Sequence, residues 1–158
     1  MKSAHAGKRK ALKLFDPGLD YGLLSELTGF RMRRASVIDF ASFGEASGDP
    51  TITPLRFSVL ELIGANPGLQ QVQIGQALGL SRPAVSVTID FWEQRGCVER
   101  RPAPDDRRSN GIYLTSKGED RLGALQKQVA AHDRKLTVGL TETEIDELHR
   151  LLEKIYLN

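Results

Sequence analysis

Val72-Gln73-Ile74-Gly75-Gln76-Ala77-Leu78-Gly79-Leu80-Ser81-Arg82-Pro83-Ala84-Val85-Ser86 reads as two short helices joined by a glycine turn. Val72 to Leu78 makes the first helix, Gly79 permits a sharp turn, and Ser81 caps a second helix that runs to about Arg95. In that second helix Val85, Ile89 and Trp92 fall at i, i+4 and i+7 and pack on a core, which turns Arg82, Pro83, Ser86, Val87 and Asp90 outward. The pattern predicts a helix-turn-helix. Small side chains at the start of its second helix let the backbone sink into a DNA major groove, where a serine bonds base edges and a methyl-bearing side chain touches thymine. Arg82 suits a guanine or a phosphate. A polar helix face alone is ordinarily just solvated, so the weight comes from the turn before it and the hairpin after it.

That hairpin follows Gly96. Cys97 to Arg101 and Gly111 to Leu114 are strand-like, and the loop between them, rich in Pro, Asp and Arg, forms the charged tip of a wing. Guanidinium groups fit the narrow, electronegative minor groove of A·T-rich DNA, which singles out Arg107 and Arg108, with Ser109 beside them and Asp106 orienting one arginine. The competing reading is Asp–Arg pairing that stiffens a surface loop, although such exposed pairs contribute only ~0–1 kcal/mol.

Working outward, Leu23, Leu27, Phe30, Val37, Ile38 and Ala41 recur at helical spacing and predict one amphipathic helix from Leu23 to Phe43, broken by Gly44 to Pro50. Thr53-Pro54 opens a helix with Leu55, Val59, Leu62 and Ile63 inward, which stops near Asn66-Pro67-Gly68. Downstream of the wing, Ser116 and Glu119 read as a capping box, followed by a seam of Leu122, Leu125, Val129, His132 and Leu136. Thr141 and Glu144 form another, opening a last helix with Ile145, Leu148, Leu151, Leu152 and Ile155 on one face. The expected fold is mainly α with a small β-wing: a winged helix-turn-helix flanked by N- and C-terminal dimerisation helices. Its expected divisions are a basic flexible arm over 1–18, a dimerisation helix over 19–46, the DNA-binding domain over 51–115 and C-terminal dimerisation helices over 116–158. The arm ends at the turn-forming triplet Asp16-Pro17-Gly18 and reads either as a tail or as an arm that contacts DNA.

Composition narrows the function classes. With 40% hydrophobic and 27% charged residues the 158-residue chain has the balance of a folded soluble domain, and a formal charge of only +2 means that attraction to nucleic acid must come from local clusters. One cysteine, Cys97, excludes an intrachain disulfide and fits a reducing compartment. No apolar run reaches the ~20 residues of a membrane span, and the basic start lacks the apolar segment of a secretion signal, so the expected location is the cytoplasm. His5, His132 and His149 are scattered without metal-ligand spacing, and no nucleophile elbow, phosphate loop or dinucleotide fingerprint occurs. Neither a catalytic site, a metal nor a cofactor is expected.

The stretch Leu78 to Ser86, the run Arg95-Gly96-Cys97-Val98-Glu99-Arg100, and Asp106-Arg107-Arg108 followed by Leu114-Thr115 and Gly118 resemble the MarR family of transcriptional regulators. The resemblance covers Thr53 to Gly118 closely and the flanking helices in pattern only. It implies a homodimer whose terminal helices interlock and whose paired recognition helices bind a pseudo-palindromic operator, with release by a small anionic effector, such as an aromatic acid or its thioester. Two positions depart from the family. Asp90-Phe91-Trp92-Glu93 replaces a common Asp-Arg-Leu-Glu, which removes a phosphate-contacting arginine and leaves Phe91 either packed or facing an effector pocket. Cys97 stands where an aliphatic residue is usual and reads as a small core residue; redox response through it is a weaker reading. Arg34 lies on the apolar stripe of the first helix and needs an anion nearby. Either a carboxylate across the dimer supplies it, or Arg34 captures an effector with Arg31 and Arg33 assisting. The rival from another class is a winged-helix protein-interaction module without sequence-specific DNA binding.

Overall fold

A computed structural model describes residues 16–102 and 110–157. Among these the elements run α1 (Thr28–Ala46), α2 (Pro54–Ala65), α3 (Gln71–Leu78), α4 (Arg82–Gln94), β1 (Val98–Pro102), β2 (Asn110–Leu114), α5 (Ser116–Leu136) and α6 (Glu142–Tyr156). The chain divides into two compact units, one up to Ser42 and one from Phe43 onward.

In the first unit, the triplet at Asp16 turns as expected, with the Asp16 carboxylate accepting from the Gly18 N–H at 2.9 Å. The helix expected from Leu23 begins only at Thr28, after a short 3-10 turn over Gly22–Ser25. Local side-chain bonds explain the delay. The Asp20 carboxylate takes the Gly22 N–H at 2.8 Å and the Ser25 hydroxyl donates to the Gly22 carbonyl at 2.7 Å, each competing with helical pairing. Along this unit Leu23, Leu27, Ile38 and Phe40 are exposed.

The second unit holds the core. Gly44, expected to break α1, lies inside it; a β-carbon there would stand 3.1 Å from Pro50 Cα, so the glycine makes room for the returning chain. Thr53 caps α2 through its hydroxyl, which accepts from the Arg56 N–H at 3.2 Å, with Pro54 behind it as expected. Val59, Leu60 and Ile63 of α2 meet Ile74 of α3, Val85, Ile89 and Trp92 of α4, Val98 and Ile112 of the hairpin, and Leu122 and Leu125 of α5. Trp92 is fully buried, and its indole N–H donates to the Arg56 carbonyl at 2.9 Å, so the largest core side chain has its polar atom satisfied.

The hairpin pairs β1 and β2 antiparallel, with Val98 opposite Leu114 and Arg100 opposite Ile112. Leu69, just before α3, adds a single bridge to Ile112, its carbonyl accepting from the Ile112 N–H at 3.0 Å, and so ties the wing to the helix-turn-helix. The α5 cap is Thr115 rather than Ser116: its hydroxyl accepts from the Gly118 N–H at 3.1 Å and donates to the Gly96 carbonyl at 2.6 Å. The seam of α5 faces inward at Leu122, Leu125 and His132, whose ring meets Phe43 edge-on with centroids 5.7 Å apart. The capping box of Thr141 and Glu144 is present as expected. No residue of α6 is buried, and Leu148, Leu151, Ile155 and Tyr156 are exposed.

Candidate nucleic-acid interface

Gly79 adopts φ 62°, the left-handed conformation that ends α3, and the Leu80 N–H returns to the Gly75 carbonyl at 2.9 Å. The chain re-enters helix at Arg82. Ser81 holds the N-cap position as expected, though its side chain makes no capping bond. Instead the Gln71 amide donates to the Arg82 carbonyl at 3.2 Å, pinning the first turn of α4 to the start of α3.

The inward set of α4 is Val85, Ile89 and Trp92, as expected, joined by Thr88, whose hydroxyl is satisfied by the Ala84 carbonyl at 2.9 Å. This leaves Arg82 and Pro83 exposed, Ser86 half-buried and Val87 64% exposed, all on one face of the first two turns. A valine so exposed on a helix otherwise anchored by core residues is a side chain with no packing role in the single chain.

Asp90, one turn further on, has a partner that local pattern did not reveal. The Arg100 guanidinium on β1 reaches back to α4, donating to the Asp90 carboxylate at 2.6 Å and to the Glu93 carboxylate. One arginine thus spans two acids a turn apart and couples the wing to α4. Both pairs are partly solvated, so each adds little to stability, and their effect is orientation. Between the starts of α3 and α4 and the base of the wing lies a cavity of about 280 Å³, lined by Gln70, Gln71, Arg82, Arg100 and Asn110. Donors and acceptors therefore gather beside the exposed end of α4. The wing tip, with Asp106, Arg107, Arg108 and Ser109, lies outside the described residues, as does the basic stretch up to residue 15.

Phe91 sits between cations. The guanidinium carbons of Arg56 and Arg95 lie 3.8 Å and 3.6 Å from its ring centroid, and Trp92 meets it edge-on at 5.0 Å. Thr51 holds both arginines, its carbonyl accepting from Arg56 and its hydroxyl from Arg95 at 3.2 Å. These neighbours favour the packing role for Phe91 over the effector role. Burial pushes the Cys97 thiol up, against the pull of Lys117, Arg121 and Arg95, and only 3% of the residue is exposed, as befits a small core residue.

In the first unit, α1 carries Arg31, Arg33 and Arg34 within about one turn. Arg31 donates to the Ser25 carbonyl at 2.6 Å, Arg33 is exposed, and half-buried Arg34 places its guanidinium 5.6 Å from the ring centroids of both Tyr21 and Phe30. The apolar stripe thus shelters Arg34 with aromatic faces.

A family model described as "MarR family" matches residues 51–109. A structure of the transcriptional repressor CouR bound to a 23-mer DNA duplex is 39% identical, covers 87% of this chain and 98% of its own, and superposes with a TM-score of 0.81. CouR bound to p-coumaroyl-CoA gives 36% identity and a TM-score of 0.79 over 87% of this chain and 97% of that one. A MarR variant from E. coli complexed with operator DNA is 26% identical, with a TM-score of 0.76 over 85% and 98% of the two chains. A transcriptional regulatory protein for the hcr operon of Thauera aromatica is 27% identical over 153 residues, 96% of this chain and 91% of that protein.

Proposed function

The chain belongs to the MarR family of DNA-binding transcriptional regulators, and from that premise we propose that it is a repressor which leaves its operator when a small anionic aromatic effector binds. The observation that carries DNA recognition is the face of α4. Arg82, Pro83, Ser86 and Val87 point away from a core that fixes the helix, next to a hairpin held to the same helix by Arg100. We assign Ser86 and Val87 to base edges and Arg82 to phosphate or guanine. Arg107, Arg108 and Ser109 go to the minor groove, oriented by Asp106. Asp90 acts through Arg100, not through DNA.

The regulator works as a homodimer. The exposed Leu148, Leu151 and Ile155 of α6 and the apolar residues around α1 are the surfaces that a second copy would cover. Paired recognition helices then read two half-sites about 34–36 Å apart, one helical turn. The effector is proposed to be an aromatic acid or its thioester held through Arg31, Arg33 and Arg34, the class to which the p-coumaroyl-CoA bound by CouR belongs. A differential affinity of a few kcal/mol between spacings that match the operator and spacings that do not is enough for release. Such a regulator works in the cytoplasm, where its operator is. No helix of the described residues is long and apolar enough to cross a membrane.

The test is a mobility shift with a DNA fragment from upstream of the protein's own gene, titrated in salt and then with aromatic acids and aromatic acyl-CoA thioesters. Retarded DNA whose affinity falls with salt, and which one of these ligands releases, supports the proposal. Equal binding to unrelated DNA would leave the helix as a protein-docking surface.

A further inference from the structure

Where α4 ends and α5 begins, a cavity of about 150 Å³ opens between Arg95, Lys117 and Arg121, with Asp49 at its rim and Cys97 and Trp92 behind it. Arg95 and Arg121 act on the Asp49 carboxylate, and Lys117 joins them beside Cys97. That acid is also engaged locally: Asp49 Oδ1 already accepts from the Thr51 N–H at 2.9 Å and from its hydroxyl at 2.6 Å. Among the described residues Arg95 bonds neutral acceptors, the Thr51 hydroxyl at 3.2 Å and the Phe91 carbonyl at 3.4 Å. Among the described residues Lys117 and Arg121 form no salt bridge.

The sequence makes this cluster stranger. Lys117 occupies the first turn of α5, where the helix dipole disfavours a cation. Glu119 in the same turn does not compensate it, because Glu119 lines a different cavity with Glu61 and Gln126. Asp49 is held below the usual carboxylate range, first by the Thr51 hydroxyl and then by its N–H, with Arg95 and Arg121 adding smaller pulls. Its charge is therefore already present, and the cluster still keeps an excess of positive charge.

We infer that the pocket of Arg95, Lys117 and Arg121 binds a small oxyanion of phosphate or sulfate type. Its volume is below the ~300–1,000 Å³ of sites for drug-sized ligands, so an ion or a single anionic group fits and an aromatic effector does not. The α5 N-terminus adds its dipole to the three cations. The neutral thiol of Cys97 at the back adds no opposing charge. The site shares no residue with the exposed face of α4 or with the arginines of the first unit. It joins the end of the recognition helix to the start of α5, so its occupant would brace that junction.

Thermal melting at fixed protein concentration tests this, with about 20 mM inorganic phosphate compared with chloride at equal ionic strength. Phosphate should raise Tm of the parent by ~2–5 °C more than chloride does. Lys117→Gln/Arg121→Gln should lose that increment and, relieved of like-charge repulsion, melt no lower than the parent in dilute chloride. Phosphate also stabilises proteins generally by exclusion from their surfaces, and that contribution persists in the variant. A parent indifferent to the anion, or a double variant that keeps the full increment, overturns the site. Should the double variant fail to fold, Arg121→Gln alone must show a reduced increment, and an undiminished one is equally fatal.

Discussion

Gly118 of α5 lies so close to the backbone of Cys97 that a β-carbon on it would stand 1.9 Å from the Cys97 carbonyl oxygen. The obstacle is main chain, which cannot rotate aside. Gly118→Ala should therefore cost ~3 kcal/mol or more in urea unfolding, at the upper end of overpacking effects. Gly123→Ala, one turn further along the same helix with nothing within 4 Å of the added carbon, should stabilise by ~0.5–1 kcal/mol. Equal stability of the two variants would mean that α5 can slide away from the hairpin.

Arg100 and Arg108 should separate in their salt dependence. Arg100 is occupied by Asp90 and Glu93, so Arg100→Met should weaken operator binding by loosening wing and helix while leaving the slope of log affinity against log salt unchanged. Arg108→Ala should reduce that slope by about one counterion. A reduced slope for Arg100→Met would make it a phosphate contact instead.

Val87 is exposed on the proposed reading face. Val87→Ser should shift stability by no more than ~0.5 kcal/mol but lower discrimination between operator and random DNA by ~1–3 kcal/mol. Ser86→Ala should act on discrimination in the same way. Uniform losses on both DNAs, read by fluorescence anisotropy, would move either residue from base to backbone contact.

The face of α6 should carry the homodimer. Leu148→Lys/Leu151→Lys places two charges on side chains that are already exposed in the single chain, so the subunit should still fold. Sedimentation should show monomers, with operator affinity falling as half-sites are bound singly. A dimer of parental strength would shift the interface elsewhere.

Glu144 gives a pH signature. Its carboxylate accepts from the Thr141 N–H and hydroxyl, both at 2.8 Å, and these bonds lower its pKa from 4.5. Because the folded value is the lower one, its stabilisation is present above the unfolded pKa and is lost as pH falls through the folded value. Glu144→Gln keeps a cap acceptor without a titrating charge. The Tm difference between parent and variant should therefore be constant near neutrality and shrink below about pH 4. A difference that does not change with pH would exclude the cap.

Much of this was legible locally because the signals are local. Gly79 with Ser81 and Pro83 marks the turn and the start of α4, and Val85, Ile89 and Trp92 mark its inner face by spacing alone. The α5 cap was misplaced by one residue because Thr115 and Ser116 both suit a cap. What selects Thr115 is its bond to the distant Gly96 carbonyl, which no short pattern contains. Gly44 and the Leu23 turn mislead for similar reasons: one glycine serves a close approach, and the other start is diverted by Asp20 and Ser25. The bridging of Asp90 and Glu93 by Arg100, and the stacking of Arg56 and Arg95 on Phe91, join residues from different elements, so they emerge only in three dimensions.

Trp92 is the chain's single tryptophan, and it lies at the base of the recognition helix with its N–H on the α2 backbone at Arg56. The protein thus contains one indole, which can be excited selectively over its three tyrosines, placed where α4 meets α2. Its emission should be that of an indole shielded from water and should shift to the red only when this contact opens. A ligand that changes the seating of α4 on α2 would alter the emission, whereas one that reorients whole subunits would leave it untouched. Fluorescence titration without any label can therefore distinguish a rearrangement inside the subunit from a movement between subunits.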